Sequence, residues 1–499
     1  MSVGEGSTLH LGVLRFVRTY WVRVLAISVL VLIPCFWHAR IEAGDLPSHV
    51  YNAWLAQLIG KGQAPGLYIA RQWNNVLFDV ALLSAAKVAG FAAAQKIVAS
   101  ACVLIFFWGV FAFVGAVSGC APWFLTPCIA MLAYGYSFSM GFMNYYVSIG
   151  LACFGLAAGW RGGAGNWLVA AVFAPLVYLA HPIGFLWFVG ALTYRVLRKN
   201  LPGWTKAFVP LTALSPFVAA HWYLVHRAKF PIDRSGPPFY WMNGADQVAT
   251  YGERYISLAW VALIFGALCV GVDVYVRLRR NSEGGLRHFL LPLELYAVAF
   301  FATALLPENL HPSIYQGWIG LVVSRLTSIS AILGLCLMGS LRPRKWHFVG
   351  FSVLAVVFFD FYYQDTLWLN RLEANAETAV SRLPYGTRII PTIAADPEWR
   401  TPFIGHIADR ACIGHCFTYS NYEPSSGQFR VRVDPRGSPI VVASEEESED
   451  MEGGTYEIQD TDPPLKQLYQ CDPGDLTKLC IHDLAVGETI GELGLQPSN

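Results

Sequence analysis

Long apolar blocks alternate with short polar ones along the chain, and the blocks recur near the ~20 residues needed to cross a bilayer. Read by hydropathy they give about eleven membrane spans, at 22–38, 93–117, 121–137, 140–159, 165–180, 183–195, 207–226, 255–276, 288–306, 317–340 and 346–363. Residues 39–92, between the first two spans, form a long loop with two shorter patterns. In 48–59, Val50, Tyr51, Trp54, Leu55 and Leu58 recur on one helical face, with Pro47 and Ser48 suited to its start and Gly60 and Gly62 to its end. The second pattern, 75–89, sets Asp79 and Lys87 among apolar residues. Both predict amphipathic helices lying in the membrane interface. Beyond 363 the pattern changes. Leu367, Leu369, Leu372, Ala376, Val380 and Leu383 predict a helix, Pro384-Tyr385-Gly386 a turn, and 387–393, 428–433 and 439–443 strands. The expected fold is an all-α polytopic membrane bundle over 22–363, preceded by a short N-terminal segment, 1–21. A small C-terminal α+β domain over 364–499 follows, of ordinary domain size.

Composition agrees. Hydrophobic residues make up 55 % of the 499 and charged residues 14 %, where a soluble protein carries about a quarter charged. The net charge of +1 hides an asymmetry. Arg161, then Arg195, Arg198, Lys199 and Lys206, then Arg277, Arg279, Arg280 and Arg287, then Arg342, Arg344 and Lys345 fall in alternate loops. Those loops lie on the same side as Arg15, Arg18 and Arg23, and the positive-inside bias makes that side cytoplasmic. The 39–92 loop, the turn at 141–145, His181-Pro182, the loops 227–253 and 307–316 and the whole tail then face outward. The expected setting is a bacterial inner or cell membrane, with any site on the extracytoplasmic face, out of reach of ATP and nucleotide sugars. No basic patch with interleaved aromatics occurs, so nucleic acid is not an expected partner. The first apolar run lacks a small-x-small cleavage site and reads as an uncleaved span.

Seven cysteines, Cys35, Cys102, Cys120, Cys128, Cys153, Cys269 and Cys336, sit in or beside apolar segments and are expected to pack as small hydrophobes. Cys412, Cys416, Cys471 and Cys480 all lie in the tail and predict two disulfides of open connectivity. His415 between two of them lacks the fourth ligand a zinc site needs. The acidic run 445–452 reads as a solvated, mobile loop.

Chemistry concentrates in IEAGDLPSHVYNAWLAQLIGKGQAPG, residues 41–66, where Asp45 and His49 stand four apart. A carboxylate there can take a proton from a nucleophile or hold a cation; it can equally cap the helix that follows. Asn144 and His181 lie at outward ends of apolar segments, where polar groups are often functional, although a histidine before proline also suits backbone capping. In 227–253, Arg234, with Arg227 and Lys229 near it, has the fork geometry that recognises phosphate. Arg325 stands within an apolar span and demands a partner or a polar cavity. It is the leading phosphate ligand, with Glu308 and His311 in the adjoining loop.

One span followed by an outward loop with an early acidic residue and two juxtamembrane helices resembles the GT-C superfamily of multi-pass glycosyltransferases. GDLPSHVYNAWLAQLIGKGQAPG carries the likeness, with Asp45, His49 and Pro65-Gly66; GFMNYY (141–146), AHPIG (180–184) and Arg325 add to it. The resemblance implies transfer of a sugar from a polyprenyl-phosphate donor to a glycan, lipid or protein acceptor. Asp45 would act as general base with inversion, and His49 would position it or the acceptor. Arg325, His181, Arg234, His311 and Asn144 would bind substrate or lipid phosphate. Many members pair two carboxylates in this loop; here Gly44 precedes Asp45, which leaves a divalent cation an open question and no metal ligand assigned. The competing readings are a transporter or lipid flippase, and a non-catalytic scaffold for the tail.

Overall fold

A computed structural model describes residues 8–227, 242–279, 287–309, 320–393, 399–400, 405–442 and 444–492. The helices run α1 Thr8–Phe36, α2 Leu46–Gly60, α3 Leu77–Ala89, α4 Phe91–Ser118, α5 Thr126–Ala133, α6 Tyr136–Ser139, α7 Met143–Arg161, α8 Ala164–Ala180, α9 Pro182–Asn200 and α10 Val209–His226. Then come α11 Glu253–Arg279, α12 Arg287–Leu305, α13 Val322–Gly339, α14 Lys345–Val380, α15 Ile407–Cys412, α16 Tyr422–Ser426 and α17 Glu445–Gly453. Among the described residues six helical segments are long and apolar enough to cross a membrane: Arg18–Phe36, Phe91–Ser118, Trp204–His226, Glu253–Arg279, Val322–Gly339 and Lys345–Val380. The protein is therefore built as a multi-pass membrane protein. In Trp204–His226 only 6 % of the most apolar stretch is buried, so that surface requires lipid.

The pattern at 121–137 does not form one span. Pro122 and Pro127 start a 3-10 turn and then α5, and an extended Gly135 separates α5 from the short α6. Eight residues of helix reach about 12 Å, too little to cross. At the centre α7 is buried along almost its whole length. It lies against α4 where Gly109 and Gly150 meet; a β-carbon on Gly109 would stand 2.3 Å from the Gly150 carbonyl oxygen.

The helix ends sort into two poles. The Cβ position of Gly339, ending α13, lies beside Val114 and Ser118, ending α4. Arg277 reaches the Ser340 carbonyl at 2.9 Å, Arg23 lies over Trp123, and Phe124 contacts His347 at the start of α14. The described basic segments thus gather at one pole, while the Asp45 loop, the starts of α4 and α13 and the tail gather at the other.

The boundary expected at 363/364 falls inside a helix. The last apolar block and the predicted tail helix are one element, α14, of 36 residues, or about 54 Å. The tail also pairs with the first loop. Strand β1 (Leu67–Ile69) runs antiparallel to β4 (Val431–Val433) with Leu67 opposite Val433, so the strand expected at 428–433 finds its partner more than 360 residues away in sequence. The other strands, β2 (Thr387–Thr392), β3 (Cys416–Thr418), β5 (Leu465–Gln470) and β6 (Leu479–Leu484), form a sheet in the order β3-β2-β5-β6. In it β2 is parallel to both neighbours, and β5 and β6 are antiparallel.

The segment 439–442 is not a strand; it crosses beside β3, held by one bond from the Val442 amide to the Tyr419 carbonyl. The acidic run is the helix α17 rather than a solvated loop, capped by Ser444 and with Ser448 and Met451 buried. Two disulfides close the tail, Cys412–Cys416 and Cys471–Cys480. Of the seven remaining cysteines six are buried, and Cys120 is exposed.

A buried charge cluster joins tail to bundle. Arg410 on α15 donates to Glu373 Oε1 of α14 at 2.5 Å, to Glu42 at 3.2 Å, to Gln95 of α4 at 2.7 Å and to the Ile41 carbonyl at 3.1 Å. Arg40 adds a second contact to Glu373 at 3.3 Å. Replacing Arg410 with Met should cost about 3–5 kcal/mol, because buried Glu42 loses its ion-pair partner and buried Glu373 keeps only Arg40. Denaturant or thermal unfolding of the purified protein measures this, and a loss below about 1 kcal/mol would refute the cluster as the tail's anchor.

Candidate functional site

From 41 to 50 every residue is buried except Asp45, which is half-buried. It occupies the N-cap position of α2, yet its side chain makes no capping bond. The carboxylate is thus not spent on the helix. The backbone around it is fixed from outside: the Gly44 amide donates to the Ser139 carbonyl at 2.7 Å and the Asp45 amide to the Met140 carbonyl at 3.1 Å. Gly141 makes that approach possible. It sits at φ +78°, and a β-carbon there would lie 2.3 Å from the Asp45 nitrogen.

The rest of GFMNYY continues the work that Gly141 begins. The Phe142 ring lies 4.3 Å from the Arg325 guanidinium carbon. Asn144 donates to Asp79 Oδ2 at 2.7 Å and accepts from the Phe78 amide at 2.8 Å. The Tyr145 hydroxyl donates to the Arg325 carbonyl at 2.6 Å, and its ring meets His181 edge-on at 5.3 Å. Tyr146 stacks on Phe106.

Arg325 is half-buried near the start of α13. One nitrogen, Nη1, donates to the Gly320 carbonyl at 2.6 Å. Among the described residues it forms no ion pair, and its buried Nε has no partner. Asp45 is the carboxylate whose charge acts on it most strongly. The neighbouring tail cation, Arg400, is by contrast paired with buried Asp246 at 3.1 Å. Glu308 is occupied too, accepting from the Ser324 hydroxyl at 2.5 Å and the Ser324 amide at 3.2 Å as it caps α13.

Three assignments from sequence change. The His49 side chain is tied to Asp79 of α3, Nδ1 to Oδ1 at 2.7 Å; its only bond to Asp45 is backbone, from its amide to the Asp45 carbonyl at 3.0 Å. Asn144 has both ends of its amide in protein bonds, because it must cap α3 and hold Asp79. It is a scaffold residue rather than a phosphate ligand. His181 caps α9, its Nδ1 accepting from the Ile183 amide at 3.2 Å. Burial, with the Arg325 charge added, drives its pKa down to about 3, so it is neutral and offers no charge to a phosphate. Arg234 and His311 lie outside the described residues.

The tail supplies side chains that sequence reasoning did not place here. His406 and Asp409 are both buried and bonded, Nδ1 to Oδ2 at 2.9 Å. Glu423 is buried and accepts the Asn52 amide. Burial opposes charge on His406, but Asp409 and then Asp45 and Glu423 raise its pKa to about 10. Burial likewise opposes charge on His49, and Asp79, Glu423 and Asp45 lift it to about 9. The Asp45 charge therefore acts on two histidines, one from each part of the chain. Asp79 carried a readable signal, an acid beside the Phe78, Leu82, Ala86 stripe of α3. His406 and Glu423 carried none. Among the described residues no three His, Cys, Asp or Glu side chains converge as a metal-binding set.

Comparison with protein-family models, with characterised proteins and with solved structures finds no match for this chain.

Gly141→Ala forces either a left-handed alanine or a shift of the Asp45 backbone, and should cost roughly 2 kcal/mol or more. A melting temperature within a degree of the parent's would contradict this. A second expectation concerns pH. Glu423, pushed up to about 7, and His49 and His406 all hold protons more tightly folded than unfolded. The stability from the two histidines is complete below their ordinary 6.5 and is lost as pH rises through 9 to 10. Asp79→Asn should remove the share of His49, about 3 kcal/mol at most, and flatten the decline in melting temperature between pH 6.5 and 9. An unchanged slope would exclude the pair as its source.

Proposed function

We propose that the protein is a membrane glycosyltransferase of GT-C type, taking a sugar from a polyprenyl-phosphate donor at the pole that carries Asp45. One observation carries the reading. Asp45 is an uncapped, half-buried carboxylate in an otherwise buried stretch, and Arg325, on which its charge acts more strongly than any other carboxylate's, has no ion pair among the described residues. A general base and an unpaired guanidinium in one neighbourhood match the two charges such a transfer must manage. The resemblance in residues 44–66 supplies the reaction class.

In this reaction the acceptor hydroxyl attacks the anomeric carbon while its proton passes to an Asp45 carboxylate oxygen. The bond from the anomeric carbon to the phosphate oxygen breaks on the opposite side, its electron pair leaves with polyprenyl phosphate, and configuration inverts. Arg325 meets the growing charge on the phosphate with its remaining N–H donors. His49 and His406 both feel the Asp45 charge and add positive charge to its surroundings. The pole bearing the basic segments would be cytoplasmic, placing Asp45 on the extracytoplasmic face, where lipid-linked donors are the available sugar source.

Asp45→Asn should lower transfer from polyprenyl-phosphate donors by at least a hundredfold with only a small fall in melting temperature, since the carboxylate makes no capping bond and is a lesser contributor to the charge of His49 and His406. Arg325→Lys should keep part of the activity that Arg325→Met loses. Transfer assays in proteoliposomes read both. Full activity in Asp45→Asn would remove Asp45 as the base.

A further inference from the structure

The pole opposite Asp45 carries a cavity of its own. Helix α7 starts just after Gly141, beside the Asp45 backbone, so its end at Arg161 lies at the basic pole. There an open cavity of about 100 Å³ lies between the end of α7, the start of α8 and the last turns of α9. A space of that size holds several water molecules, the scale of a phosphate with its oxygens. We infer that this cavity binds the phosphate of an anionic phospholipid headgroup through Arg195 and Lys199. The site is separate from Asp45 and independent of the proposed reaction.

Charge selects an anion. No Asp or Glu occurs between Asp79 and Asp233, so α7, α8 and α9 carry their cations without a carboxylate of their own. Glu294 of α12 reaches α9 but is spent on Arg198, accepting from Nε at 2.8 Å and Nη2 at 2.6 Å. Arg195 is half-buried. Its guanidinium carbon lies 5.4 Å from the Trp160 ring centroid, and Nη2 meets the Trp160 carbonyl at 3.5 Å. Those contacts hold the group in place and leave its charge unpaired among the described residues. Lys199 is directed at the same α7–α8 turn, its Nζ 3.8 Å from where a β-carbon on Gly162 would stand. Arg195 and Lys199 are one turn apart and repel; an anion between them relieves this. Gly163, which also lines the cavity, is the N-cap of α8 and has no side chain to accept its first amides, so the helix dipole adds to the positive potential.

The walls select a lipid over a soluble phosphate. Trp167 and Val196 line the cavity and are themselves exposed. From Trp167 the exposed Leu168, Val172 and Leu176 continue along one face of α8, and from Val196 the exposed Val189 and Leu186 continue along α9. The cavity thus opens onto two apolar stripes that lead away from its charged end. A headgroup phosphate fits the charged end, and an acyl chain covers the stripes, which need an apolar neighbour. Trp204, 75 % exposed just beyond α9, marks the headgroup level, as tryptophans do at a membrane interface.

Native mass spectrometry of the full chain in neutral detergent, titrated with dioleoyl phosphatidylglycerol or dioleoyl phosphatidylcholine, tests this. The unaltered protein should retain phosphatidylglycerol in preference to phosphatidylcholine. Retention should weaken about fivefold in Arg195→Gln, the worth of one cation at an anionic headgroup. It should weaken likewise in Asn200→Asp, which sets a carboxylate in the lining at an exposed position and competes with the phosphate. Arg342→Gln removes a charge from the same pole outside the cavity and should leave retention unchanged. Equal retention of the two lipids, no weakening in the cavity variants, or equal weakening by Arg342→Gln overturns the site. Inorganic phosphate at the same concentration should not displace the lipid. If it does, and raises the melting temperature as much as the lipid, the ligand is a soluble anion and the lipid assignment falls.

Discussion

Arg410 is the charge on which the arrangement at the Asp45 pole depends. A guanidinium taken out of water requires countercharges and acceptors in good geometry, and this one finds them on three separate parts of the chain: Glu373 on α14, Glu42 and Ile41 just before Asp45, and Gln95 on α4. Its position therefore fixes the tail, the last long helix and the Asp45 loop relative to one another. Glu42 is three residues from Asp45, so the loop cannot move without exposing a buried ion pair. The β1–β4 pairing and the bond from the Ser438 hydroxyl to the Pro65 carbonyl clamp the far end of the same loop. The tail is in this sense the outer wall of the Asp45 pole.

That dependence explains what could be read from the sequence and what could not. The helices outside 121–137 were legible because lipid imposes one solution on an apolar block, a helix; six of the eleven expected spans coincide with helices long and apolar enough to cross. Asp45 stood out because polar residues are few near the spans. Its freedom from capping was not legible, since N-cap geometry is decided by side-chain rotamers rather than by residue type. GFMNYY stood out as polar and aromatic, but its role rests on long-range contacts. Gly141 is needed because the backbone of residue 45 passes within touching distance, and no local pattern encodes that. His406 and Glu423 were beyond reach for the same reason. Each looks like an ordinary polar residue of a tail domain, and each gains meaning only through a neighbour more than 350 positions earlier. The strands β5 and β6 were missed because LKQLYQ and LCIHDL mix polar residues into both faces, which weakens the period-two signal.

The electrostatics of the pole divide the polar groups by task. His49 and Asp79 neutralise one another, Arg400 and Asp246 do the same, and Asn144 and His181 spend their polar atoms on helix ends. These groups hold geometry. After they are set aside, Asp45 makes no capping bond, and Arg325 Nε and Glu423 Oε1 are among the buried atoms without a hydrogen-bond partner, with Glu42 Oε1, Asn52 Oδ1 and Asp409 Oδ1. Unsatisfied polar atoms are costly in a buried setting, and a fold that satisfies so many others nearby has had the same opportunity to satisfy these. Their persistence is best explained by a partner that the chain itself does not contain. On the proposed reading that partner is a pair of substrates, an acceptor hydroxyl at Asp45 and a donor phosphate at Arg325.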